Sequence, residues 1–490
     1  MSEGKKTFIS YCLVAFFCLG ISFQNGYSAE NIIYTKKSGE LQFVFNYSAT
    51  TPYLHPPLVS GVINDATDPA AKLGIVVDVK EGKNIINAAD YSLTANSNNI
   101  AVANKDKVII TKSDGMATIK IIPSGVGFSD ITLTLTKGKN SASIVINYAA
   151  SAIKESSYKT YYHTGSSDAS AVVALDSNTM LVGDDEANQL YIYNTTSSGL
   201  PVNNYSYERY VSLRDGSMHD QKEVDVEACA RSIKYPSSVY WLGSMSNGGK
   251  RFEVKDNRNT LFATYIKGTG KDLTINCSAA YHQLRKYLIE WGDSYGYNFS
   301  ASAESGQKPK QVGGFNVEGL SFGPDSTTLY ICFRAPQVPV SSRNNAVIAP
   351  LMNFEGWFNE GKPKSKPVFG KPIELNLDKR GIRDMIVLSD KSYLIIAGNA
   401  DHIRNTALYK WSGYITDSPV LLNVPDIKEL PAEGAIEMLE NGKPNGKIQL
   451  ICDDGTTEWY NDGNAAKNMD AGFKKFRSVV VNIGIDKIKN

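Results

Sequence analysis

Five times between Asp168 and Asp454 an acidic residue opens a small-and-apolar run, and a second apolar run follows that ends in Gly, Asp or Arg. The copies open at Asp168 (DASAVVAL, then TMLVGDD), Glu227 (EACARS, then SVYWLGS), Glu318 (EGLSFG, then TTLYICFRAP), Asp384 (DMIVLS, then SYLIIAGNAD) and Glu433 (EGAIEML, then KIQLICDDG). The same separation of 16 residues takes Asp168 to Asp184, Glu227 to Gly243 and Glu318 to Arg334. Strand pairs returning at about 40 to 50 residues, plus insertions, are the pattern of a β-propeller, whose sheets repeat around an axis.

The rest of the chain sets the context for that repeat. At 490 residues it exceeds what one core supports, so two or three domains are expected. Its 51 basic and 50 acidic residues leave a net charge of +1, which predicts no nucleic-acid partner and no field drawing it to a membrane surface. Lys5 and Lys6 precede the uncharged run TFISYCLVAFFCLGISF, and small residues follow at Ser28 and Ala29. That is the layout of a secretory signal over 1–29, with an uncleaved anchor as the alternative. The mature chain is expected to be exported, periplasmic or secreted, with no transmembrane segment. Cys229, Cys277, Cys332 and Cys452 are widely spaced and read as free thiols in apolar strands rather than a disulfide framework.

Residues 30–150 alternate with period two in LQFVFNYS, LGIVVDVKE, ATIKIIPS, DITLTLTKG and SASIVINYAA. Short strands at this spacing predict an Ig-like β-sandwich. Asp65 and Asp68 could supply calcium ligands at a domain junction, a solvated turn being the alternative. A linker is expected over 151–163, the propeller over 164–483 and a tail over 484–490. Within the widest gap of the repeat, Tyr281, Leu284, Tyr287, Leu288 and Trp291 fall at helical spacing, predicting a helical insertion at about 276–300. The expected fold is therefore all-β: the sandwich, then a five-bladed propeller, or six-bladed if the gap hides a degenerate blade.

The blocks KEVDVEACA with YWLGS, FNVEGLSFGPD with LYICFRAP, FGKPIELNLDKRGIRDM, YLIIAGNAD with LYKWSG, and ICDDGTTEWYNDG with FRSVVV run in order over roughly 165–483. In this the chain resembles a bacterial β-propeller family catalogued as a domain of unknown function. The resemblance implies a fold and no catalytic residues. The stretch GVGFSDITLTLTKGKNSASIVINYAAS resembles the end of bacterial Ig-like or cadherin-like modules, which implies a spacer or adhesive role. More distantly, the blades are similar to phytase-like esterases and calcium-dependent lactonase propellers, which implies metal-binding acids around a central tunnel. This sequence lacks the full set of asparagine ligands of those families.

In a propeller the first strand of each sheet lines the channel, so Asp168, Glu227, Glu318, Asp384 and Glu433 are expected to ring one mouth. The second-strand ends add Asp184, Asp185, Arg334, Asp401, Asp453 and Asp454, and Arg383 is placed to pair with the acids. Crowded carboxylates need a cation, raised pKa values or arginine partners. Glu227, Glu318, Asp384 and Glu433 are the expected metal ligands, with Ca²⁺ the expected ion because hard cations take oxygen ligands. The competing expectation is that each acid accepts backbone N–H groups and clamps one sheet to the next. His402 is a candidate acid or base at the same mouth, and Tyr161, Tyr162, Trp459 and Tyr460 are candidates for stacking on sugars. No GxSxG, P-loop or HExxH pattern occurs. Function is expected to be binding of a small molecule, glycan or protein at the acidic mouth. The alternative is calcium-dependent hydrolysis of esters, lactones or phosphoesters.

Overall fold

The computed structural model describes residues 32–38, 40–47, 57–154, 156–211, 222–269, 273–358 and 365–484; the expected signal segment lies outside them. Two sheets form the N-terminal unit. One holds six strands, among them Leu41–Tyr47, Ile75–Glu81, Val108–Ser113 and Met116–Ile121. The other orders Leu58–Val62, Asn140–Ser151, Gly127–Lys137 and Ser92–Ser97. Their strands alternate buried and exposed positions, and the buried set from both sheets (Phe43, Val77, Ile119 against Leu133, Ile144, Tyr148) makes one core. Asp65 accepts from the Thr67 N–H and hydroxyl, and Asp68 caps the short helix Pro69–Lys72 through Ala70 N, so both serve a turn.

Five four-stranded antiparallel sheets follow. Their innermost strands are, in order, Ala169–Ala174, Val226–Arg231, Asn316–Phe322, Gly381–Val387 and Ala432–Glu440. Each touches the next, and the fifth touches the first. Five separate apolar cores fill the gaps between neighbouring sheets, from Ala171 and Trp241 between the first and second to Val172 and Ile451 between the fifth and first. Sheets covered on both faces explain why these strands read as unbroken apolar runs instead of alternating ones. This circular array is a β-propeller. Its ends meet in the fifth sheet, where Lys159–Thr164 pairs with Lys475–Asn482, so the ring is closed by strands from both ends of the domain. Closure leaves no open inner edge.

The helix Leu284–Ser294 leaves the ring between the second and third sheets and buries Leu284, Leu288 and Trp291. Arg285 anchors it, donating to Met245 O, Asn247 Oδ1 and Ala303 O. No helix among the described residues is long and apolar enough to cross a membrane. All four described cysteines are free.

Candidate functional site

In every innermost strand the pairing with the second strand slips by one residue at the same place. The slips fall between Ala169 and Ala171, Val226 and Ala228, Val317 and Gly319, Ile382 and Asp384, and Ala432 and Gly434. A bulge leaves one residue unpaired and re-aims its side chain. The five bulge residues are Ser170, Glu227, Glu318, Arg383 and Glu433. In the third sheet the next position must be small: a Cβ on Gly319 would lie 2.8 Å from the Cys332 Cβ.

Three glutamates and an arginine thus converge. Arg334, at the end of the third sheet's second strand, donates to Glu318 Oε1 at 2.7 Å and also to the carbonyls of Ala400 and Asp401. Arg383 Nε lies 3.0 Å from Glu318 Oε2, off-line for a hydrogen bond, while its Nη2 binds Glu433 Oε1. Burial alone would push the Glu318 carboxyl up, but Arg334, Arg383 and Lys310 outweigh it and hold it below the ordinary range.

Glu227 is different. It is 3% exposed, and among the described residues its carboxylate makes no hydrogen bond or ion pair. One oxygen each of Glu227, Asp185 and Asp225 lie within 4.8 Å of one another. Asp185 follows the first sheet's second strand, and Asp225 precedes the second sheet's innermost strand in a left-handed conformation (φ 57°) that Asp tolerates. Asp225 pairs with Arg258 at 3.0 Å, and Arg258 also holds Glu223 at 2.9 Å. Asp185 Oδ1 is buried without a partner. Burial first, and then the other carboxylates, push Asp185 and Glu227 well above the usual carboxylate range. A site made only of carboxylate oxygens, with buried atoms unpartnered, fits a hard cation such as Ca²⁺.

Lys310 completes the mouth. It lies on the segment that returns from the helical insertion to the third sheet, and the negative charge of Glu227, Glu318 and Glu433 raises its pKa. His402 borders the same group. Burial, helped by Lys310, Arg334 and Arg383, pushes its imidazole pKa down. A cleft of about 540 Å³ adjoins the trio, lined by Glu186, Asn188, Lys222, Lys255 and Arg258. A larger cavity, about 1170 Å³, lies between sandwich and propeller instead.

Of the residues expected at the mouth, Glu227, Glu318, Glu433, Arg334, Arg383 and Asp453 come together; Asp453 is close enough to raise the Asp185 carboxyl. Asp384 does not join them. It sits one residue past the bulge and accepts the N–H groups of Met385 and Ala435, tying the fourth sheet to the fifth. Asp168 takes the Ser167 hydroxyl, and Asp184 takes the Ser166 hydroxyl and Glu186 N. Asp401 caps its own turn through Ile403 N, and Asp454 holds Arg477. Tyr162, Trp459 and Tyr460 are buried in the contact between sandwich and propeller, and Tyr161 is buried in the propeller's fifth sheet, so all four pack within the protein. Sequence reasoning missed Asp225, Arg258 and Lys310. The alternation Val224-Asp225-Val226-Glu227 was a signal for the first; nothing local marks Lys310.

No family model matches the chain, and no curated protein matches it. Among solved structures it is similar to virginiamycin B lyase from Staphylococcus aureus (11% identity, 60% of this chain and 71% of that one, TM-score 0.24). Glutaminyl cyclase from Myxococcus xanthus (11%, 67% and 96%, TM-score 0.29) and a calcium-binding regucalcin from Agrobacterium tumefaciens (11%, 74% and 88%, TM-score 0.24) are further likenesses. At these scores they carry no functional argument.

Proposed function

We propose that this chain is an exported binding protein, in which a five-bladed propeller over 164–483 is carried on an Ig-like sandwich over 30–150. Its acidic mouth takes a ligand through a bound divalent cation, calcium by its all-oxygen donors. The reading rests on one observation: Asp185, Asp225 and Glu227 bring an oxygen each within 4.8 Å, and Glu227 is buried with no partner. Three carboxylates supply only part of a shell of six to eight oxygens, so ligand or water oxygens would complete it. The signal-like run over 1–29 supports export.

The test is metal analysis of the purified protein, then thermal melting with EDTA and with calcium restored. A site binding only the folded state adds about 2.7 kcal/mol at a hundredfold excess over Kd. Calcium should therefore raise Tm for wild type and leave Asp185→Asn unmoved. A wild-type Tm indifferent to both chelator and calcium removes the cation reading.

The hydrolase alternative draws on His402, whose lowered pKa leaves a neutral base beside the mouth. Calcium-dependent turnover of a nitrophenyl phosphate or acetate that His402→Ala abolishes would favour it.

A further inference from the structure

The geometry points to a second binding site, away from the acidic mouth: the cavity of about 1170 Å³ between sandwich and propeller takes a single-chain aliphatic carboxylate, a medium- or long-chain fatty acid. This site goes beyond the cation reading and does not depend on it, because Asp185, Asp225 and Glu227 are not among the residues that line the cavity.

The walls come from both units and are pinned to each other. On one side lie Leu58, Leu73 and Val76 of the sandwich, and on the other Ile192, Val202 and Leu273 of the propeller. Thr67 Oγ1 and Ser198 Oγ lie 2.9 Å apart, and Ser198 N donates to Thr67 Oγ1 at 3.1 Å. Beside that contact Gly199, at φ 130°, runs so close to Pro69 that a Cβ would lie 2.6 Å from the ring's Cγ. A gap fixed on both sides is pre-formed, and pockets that hold small molecules concentrate at such junctions between domains.

The lining selects its ligand partly by what it lacks. Among the described residues it contains no aromatic side chain, so a planar ligand finds no ring face to stack on. It contains no Asp or Glu, so no carboxylate draws in a metal ion or an amine. Its one charged residue is Lys72, whose ammonium makes no hydrogen bond or ion pair among the described residues. Apolar walls continue out to the surface, with Leu73 70% exposed, Val202 41% and Val76 38%. Apolar side chains left in water along one cavity are stabilised when an apolar ligand covers them. Lys72 adjoins the exposed Leu73, whereas Ile192 and Leu273 are buried, so the charge sits at the rim and the deeper wall is aliphatic. A fatty acid matches that order, tail inward along Ile192 and Leu273 and carboxylate accepting from Lys72.

Isothermal titration of the full chain in EDTA tests this, using octanoate, decanoate and dodecanoate below their micellar concentrations, with decanol as the uncharged comparison. The acids should bind at one site, with affinity rising about fourfold per added methylene. Lys72→Met should weaken decanoate about two- to fivefold, the range of an exposed ion pair, and leave decanol unchanged. Val76→Trp and Val202→Trp alter exposed positions, so the fold is retained, and by filling the cavity each should abolish binding of acid and alcohol alike. Wild type that binds neither decanoate nor dodecanoate overturns the proposal. So does uptake of many equivalents, an affinity indifferent to chain length, or binding that survives in both tryptophan variants. Decanoate binding unchanged in Lys72→Met overturns the carboxylate assignment. With EDTA present throughout, none of these outcomes bears on the cation reading.

Discussion

Glu318 shows how one side chain can be deeply buried and still ionised. It is 2% exposed, yet it touches two guanidinium groups, and Arg334 is fixed in turn by the carbonyls of Ala400 and Asp401. Removing one partner of a buried pair strands the other, at a cost of about 3–5 kcal/mol. Glu318→Gln keeps an acceptor but loses the charge, and should cost about 3 kcal/mol in urea unfolding. Because the folded carboxyl is held below its ordinary value of 4.5, its contribution is complete above that pH and is lost as pH falls through the lower folded value. The wild-type advantage over Glu318→Gln should therefore shrink in acid. A variant as stable as wild type at neutral pH would mean the pair contributes nothing. Glu227 has the same residue type and comparable burial, but its carboxylate makes no ion pair among the described residues, and burial pushes it well above the usual carboxylate range instead of below it.

At the level of the strand, the repeat was legible because each innermost strand opens beside an acid, and the spacing survived in three copies. Register was not. In the first sheet the bulge falls on Ser170, two residues beyond Asp168, and in the fourth on Arg383, one before Asp384. A bulge adds a residue without changing composition, so an adjacent acid in the sequence looks equivalent to the one that faces the axis. Lys310 escaped notice for another reason: it reaches the mouth on an insertion, outside the repeat. Asp384 follows the clamp expectation instead of the ligand one. Burial raises its carboxyl to about 8 against the two N–H donors from Met385 and Ala435, so at neutral pH it is largely protonated. Ionisation is disfavoured in the folded state, so its contribution is present at low pH and is lost as pH rises from 3.8 through about 8. Asp384→Asn should be near wild type at about pH 3 and gain on it progressively toward pH 8, whereas Asp384→Ala should cost about 1–3 kcal/mol by orphaning the Ala435 N–H. Parallel pH profiles for wild type and Asp384→Asn would contradict the raised value.

Across the whole molecule, sandwich and propeller meet through a packed contact, which the expectation of a spacer did not foresee. Phe128, Tyr162, Trp459, Tyr460 and Phe473 pack together there, and Ser60 Oγ meets Tyr460 Oη at 2.8 Å. At its centre Lys475, from the propeller's fifth sheet, is fully buried and donates to Gly61 O and Ser151 Oγ of the sandwich at 3.1 and 2.8 Å. Burial lowers its pKa to about 7, against the opposing pull of Asp68 and Asp65. Between about 7 and the unfolded value of 10.5 the unfolded chain holds a proton that the folded one does not, so this lysine makes stability rise with pH across that window. One proton allows at most about 1.4 kcal/mol per pH unit. Lys475→Met removes the titration and leaves Gly61 O and Ser151 Oγ without their donor, so it should be less stable than wild type at pH 9.5, with the gap closing toward pH 7. Urea unfolding of both proteins at the two pH values checks this, and a gap that stays constant would show that the buried amine carries its proton throughout.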